Sequence, residues 1–150
     1  MRKILSACAL LAMLTLAPGT TIQAAEPGDG SAFIETVEKH IQAIKDRDLE
    51  SLLSTITNGE MLTLVFPNGT TLYTRQEYVD FHRAWFADTG WNMEIEMLSP
   101  LVRGDYGVAL TRTTYTDEAG SRQAMLSLHF VREDGEWRLV FDQNTRINPD

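Results

Sequence analysis

His129 and Asp142 are the residues of this sequence best suited by type and spacing to move a proton. If Asp134-Gly135 forms a two-residue hairpin loop, Val131 opposes Arg138, His129 opposes Val140 and Ser127 opposes Asp142. His129 and Asp142 then lie diagonally on one face of adjacent strands, where a carboxylate can orient an imidazole and raise its pKa. General acid–base chemistry by His129 or Asp142 needs that arrangement. The competing reading is a pair of polar contacts on an exposed or partner-facing surface. That reading is favoured, because the other face of the same strands is the apolar one. Arg112 shares the polar face and reads as an ion-pair partner before it reads as an anchor for a bound carboxylate.

Other chemistries find less support. His40, His82 and His129 sit on three separated elements without ligand spacing, so no metal site is expected. There is no glycine-rich phosphate loop, nucleophile elbow or serine-triad spacing, and no cofactor is expected. The 150-residue chain has a single cysteine, Cys8.

The elements that must position these residues are legible from periodicity. Phe33, Val37, Ile41 and Ile44 recur at helical spacing, and Asp48 can cap a short second helix burying Leu49, Leu52, Leu53 and Ile56. Met61–Phe66 and Thr70–Tyr73 read as strands joined by a type I′ turn at Asn68-Gly69. Thr74 and Glu77 form a capping box for a helix with an aromatic face of Tyr78, Phe81, Trp85 and Phe86, which Gly90 ends; His82 flanks that face. From Trp91 onward about four long antiparallel strands follow, with turns at Gly104-Asp105, 117–120 and Asp134-Gly135. Alternation places Ala109, Thr111, Leu126, Leu128, Phe130, Trp137, Leu139, Phe141 and Gln143 on the face that receives the helices. Val108, Leu110, Arg112, Ser127, His129, Val140, Asp142 and Asn144 fall on the other.

This order of helices, hairpin, helix and curved antiparallel meander resembles the nuclear transport factor 2-like fold, an α+β cone. Ile34–Leu53 resembles the first helices of polyketide-cyclase-like (SnoaL-like) members, and Asp134-Gly135-Glu136-Trp137-Arg138-Leu139-Val140 resembles their closing strand. The resemblance runs from Phe33 to Ile147; a cystatin-like domain is the alternative fold. It implies a bent sheet wrapped on helices, often with a pocket at the open end and often a homodimer through the sheet. It further implies that part of the aromatic stock lines a cavity: Trp85, Phe130 and Phe141, with Tyr73, Thr111 and Gln143 as polar fixtures. Family members include isomerases, dehydratases, cyclases and non-catalytic modules, so fold does not choose function. Many members carry a His-x-His-x-Ser-like pattern in the last strand, where this chain has Phe141-Asp142-Gln143-Asn144-Thr145.

The first 25 residues read as a cleavable export signal: basic Met1-Arg2-Lys3, an uncharged apolar run from Ile4 to Ala17, and cleavage after Ala24 or Ala25. A periplasmic or extracellular location follows from that reading. Residues 26–32 read as a flexible lead-in and 33–148 as the domain. Signal removal makes the chain cysteine-free and moves its net charge from −8 to −10, because Arg2 and Lys3 leave and no acid precedes Glu26. So acidic a domain does not attract nucleic acid or anionic lipid by its overall field. The expected function is binding of a small apolar or amphipathic ligand, or service as a dimeric accessory module, without established catalysis. An isomerase, dehydratase or cyclase using His129 or Asp142 as general base is the alternative.

Overall fold

The structure, a computed structural model, describes residues 27–147; the segment read as an export signal lies outside them. Three helices come first or interleave: α1 (Pro27–Asp46), α2 (Leu49–Leu53) and α3 (Arg75–Ala87). The strands are β1 (Met61–Val65), β2 (Thr71–Thr74), β3 (Asn92–Arg103), β4 (Tyr106–Asp117), β5 (Gly120–Glu133) and β6 (Glu136–Ile147). They form one six-stranded sheet in the order β2-β1-β6-β5-β4-β3, antiparallel except where β1 runs parallel to β6. This is the expected α+β architecture.

Local chemistry explains most boundaries. The Asp48 carboxylate accepts from Ser51 N at 3.0 Å and starts α2, and the Thr74–Glu77 capping box starts α3 as the sequence predicts. α1 begins at Pro27, within the stretch read as a lead-in; proline's fixed φ is compatible with a first helical residue. The hairpin between β1 and β2 also differs from expectation. A type I′ turn needs two positive φ angles, and only Gly69 has one, at 85°. Pro67 instead leads a turn closed by Gly69 N donating to Phe66 O at 2.9 Å. At Asp134-Gly135 both angles are positive, 51° and 85°, and the two-residue loop forms.

The core lies between the helices and the inner sheet face. Phe33, Val37, Leu52, Ile56, Leu62, Leu128, Phe130 and Leu139 are fully buried. Phe33 is edge-on to Phe130 (5.6 Å) and Trp137 (5.2 Å), and Gly107 leaves it room: a Cβ there would stand 2.5 Å from its ring.

The register of β4 against β5 follows expectation, with Arg112 opposite Met125 and Val108 opposite His129. That of β5 against β6 starts as expected, with Val131 opposite Arg138, and then slips. Phe130 pairs with Leu139 but His129 pairs with Phe141, so Val140 is an extra residue, a β-bulge. The bulge falls where the other neighbour of β6 changes. Leu139 exchanges backbone hydrogen bonds with Thr55 and Thr57, whereas Phe141, Asp142 and Gln143 pair with Thr63, Leu64 and Val65. Beyond Val140 every side chain of β6 is therefore on the face opposite to the one alternation assigns. Asp142 and Asn144 turn inward; Phe141 and Gln143 turn outward.

Candidate functional site

Between α3, the end of α1, β1 and the inner face of the sheet the interior is open, with a cavity of about 400 Å³. Its deepest lining is buried: Ile44, Leu64, His82, Met93, Thr113, Leu126 and Asp142. Half-buried Phe66, Phe81, Trp85 and Tyr115 make the walls, and exposed Pro67, Arg122, Gln123 and Arg146 make the rim. Trp85 is held in place by stacking on Trp91 at 4.4 Å, and the Trp91 Nε1–H donates to Trp85 O at 3.0 Å.

Asp142 is the acid of this cavity. It is 4% exposed, and burial pushes its carboxyl up from an ordinary 3.8 to about 7. Asn144 steadies it: its Nδ2 donates to Asp142 Oδ1 and to Val65 O, both at 3.2 Å. The Tyr78 hydroxyl is buried without a hydrogen-bond partner, and its pKa rises well above the usual phenol value through burial and the nearby charge of Asp142. A carboxyl that titrates near neutrality in an apolar enclosure can take a proton from, or return one to, a bound molecule.

His82 is the second polar group on the floor. Its Nδ1 lies 2.8 Å from Tyr78 O. A carbonyl only accepts, so Nδ1 carries the hydrogen and Nε2 keeps its lone pair. Burial lowers the pKa of His82 to about 4, so the ring is neutral at physiological pH. Neutral His82 offers a ligand an acceptor, suited to a hydroxyl or enol, while protonated Asp142 offers a donor.

The other sequence-predicted residues are dispersed. His129 lies on the outer face, away from Asp142, with Tyr106 Oη 2.5 Å from its Nδ1, Ser127 Oγ 2.7 Å from its Nε2 and its ring edge-on to Phe141. The expected His129–Asp142 pair does not form, because the Val140 bulge sends Asp142 to the opposite side of the sheet. Of the six expected pocket residues, Trp85 lines the cavity. Thr111 and Phe130 face inward but belong to the close-packed core. Tyr73 is 59% exposed, and Phe141 and Gln143 are on the outer face. Arg112 forms an ion pair, but with Glu96 at 3.4 Å rather than with Asp142, the partner expected within the chain. Among the described residues no cluster of three or more His, Cys, Asp or Glu could hold a metal. Sequence reasoning missed His82, although its i,i+4 spacing from Tyr78 puts it on the buried stripe of α3.

Fold and cavity together define an α+β cone of the NTF2-like kind. The chain belongs to the SnoaL-like domain family, which it matches over residues 34–144. Solved structures agree on the fold. A candidate dehydratase of the NTF2-like family from Streptomyces avermitilis superimposes with a TM-score of 0.70 at 16% identity, covering 81% of this chain and 98% of that one. A ketosteroid isomerase-like protein from Erwinia carotovora atroseptica gives 0.70 at 15% identity, over 83% and 100% of the two chains. A domain of unknown function with a cystatin-like fold from Nostoc punctiforme gives 0.69 at 20% identity, over 83% and 81%. No curated protein matches the sequence.

Proposed function

We propose that this protein binds a small, largely apolar molecule in its cavity and moves a proton on it, with Asp142 as the general base or acid. The observation that carries the reading is Asp142 itself, a buried carboxyl on the floor of a largely apolar cavity, where burial raises its pKa to about 7. Relatives of the same fold described as a candidate dehydratase and as isomerase-like add support, since both reaction types turn on proton transfer. His129 has no part in this chemistry.

A general base of this kind contributes roughly 10²–10⁴-fold to a proton transfer. The test is solvent deuterium uptake by 2-tetralone, an apolar ketone with labile hydrogens beside its carbonyl, followed by proton NMR. The full chain is expected to accelerate uptake, and Asp142→Asn to reduce that acceleration at least ~100-fold. Bound ketone that exchanges no faster than in buffer would contradict the proposal and leave a binding protein without turnover. Export is part of the same proposal. It rests on the basic start and apolar run of the first 25 residues. Protein recovered outside the cytoplasm is expected to begin at Ala25 or Glu26; recovery with Met1 intact would refute it.

A further inference from the structure

Asp142, Asn144 and Arg146 occupy alternate positions of β6 beyond the Val140 bulge and all line the cavity. Alternate residues of a strand share a face, and at about 3.3 Å per residue Asp142 and Arg146 are about 13 Å apart along it. One face of one strand thus runs from the buried acid, past an amide, to an exposed cation at the rim.

The rim carries two arginines in a chain whose net charge is −8. Arg122 is already engaged. Its guanidinium is 2.5 Å from Asp117 Oδ2 and lies over the Tyr115 ring at 5.0 Å. The Arg146 guanidinium has no hydrogen bond or ion pair among the described residues, and no acidic side chain other than Asp142 lines the cavity with it. Between the two ends the walls are Phe81, Trp85 and Leu126.

We infer that the cavity selects an amphipathic organic acid, with its anionic head on Arg146 at the rim and its apolar body reaching down to Asp142. The inference rests on the cavity being a ligand site, and it specifies the ligand class. A carboxylate at the bottom would give up its water in a buried, largely apolar space that no cation faces, beside an acid whose own ionisation it would oppose. At the rim the same group keeps its water and gains a guanidinium. The polarity of the cavity therefore fixes the direction of entry as well as the class of ligand.

Dodecanoate and dodecanol share one apolar chain and differ in the head. Their affinities for the full chain and for Arg146→Gln can be compared by tryptophan fluorescence, which Trp85 in the cavity wall makes responsive to a ligand, or by calorimetry. The dodecanoate-to-dodecanol affinity ratio is expected to fall about three- to fivefold in Arg146→Gln, the size of one partly exposed ion pair. The wild-type ratio is expected to shrink between 20 mM and 500 mM salt, about 20 Å and 4 Å of screening length. Both probes binding with a ratio that the substitution leaves alone would overturn the inference while sparing the cavity as a ligand site. Neither probe binding to the wild-type chain would overturn both.

Discussion

Asp142→Asn is expected to stabilise the folded chain, and more so at pH 8 than at pH 5. The carboxyl titrates at about 7 when folded, against an ordinary 3.8. Between those values the folded state holds a proton that the unfolded state has released, so folding stability falls as pH rises from 3.8 and levels off above 7. From pH 5 to pH 8 this amounts to about 3 kcal/mol at 1.4 kcal/mol per pH unit, and an asparagine does not incur it. Asparagine keeps an oxygen for the Asn144 Nδ2–H, so the local network survives. Urea unfolding at both pH values measures the difference. A gain that is the same at pH 5 and pH 8 would show that Asp142 titrates as an ordinary surface acid. Stability and function oppose each other here, since the substitution expected to strengthen the fold also removes the proposed base.

Acid is expected to weaken the fold chiefly through two buried histidines, and His40→Leu is expected to remove most of that loss. His40 is fully buried, and burial, with the charge of His82 added, lowers its pKa from 6.5 to about 3. Its tautomer follows from geometry. Thr55 Oγ1 donates to Leu52 O at 2.7 Å, so it accepts from His40 Nδ1–H at 2.8 Å, and Nε2 is left buried with no partner. A proton on Nε2 would put an unpaired charge beside Phe130. His82 behaves alike, with its pKa at about 4. For both groups the unfolded state binds protons first, so stability is complete above 6.5 and is lost as pH falls towards those values.

From pH 7 to pH 5 the two histidines together remove about 4 kcal/mol, while Asp142, half-titrated at pH 7, returns a little over about 2, a net loss of about 1.5. Three measurable consequences follow. The wild-type chain loses about 1.5 kcal/mol over that range. Asp142→Asn loses about 4 kcal/mol over it, and in His40→Leu the two remaining terms nearly cancel, so its stability changes by less than about 1 kcal/mol. The window stays above the titration of the surface acids Glu77 and Asp117, whose pKa values are held below their usual range by the hydrogen bonds they accept. If His40→Leu and wild type change in parallel from pH 7 to pH 5, the buried neutral histidine is not the acid-sensitive element.

Most of the frame that positions the site is written locally in the sequence. The Thr74–Glu77 box starts α3, Asp134-Gly135 sets a two-residue loop, and the loop sets the pairing of Val131 with Arg138. The site depends on something the local sequence does not carry. Alternation of Trp137, Leu139 and Phe141 reads as one straight apolar face, and Leu139-Val140-Phe141 is equally apolar whichever residue is skipped. The choice comes from β6 acquiring a new neighbour, as Ile56 gives way to β1, and that pairing spans more than 70 residues of chain. Phe141 leaves the cavity for the same reason, and Phe66, Phe81 and Trp85 wall it. His82 was readable in type and spacing, but its role needed the cavity in front of it.

The reading that unites these points is that one bulge turns a carboxylic acid into an apolar cavity and so tunes it to neutral pH. The most direct test is the titration of the Asp142 side-chain carboxyl by ¹³C NMR on the full chain, with the resonance assigned by its absence in Asp142→Asn. A midpoint near 7 is the result this account predicts. A midpoint near the ordinary carboxylate value of about 4 would contradict it.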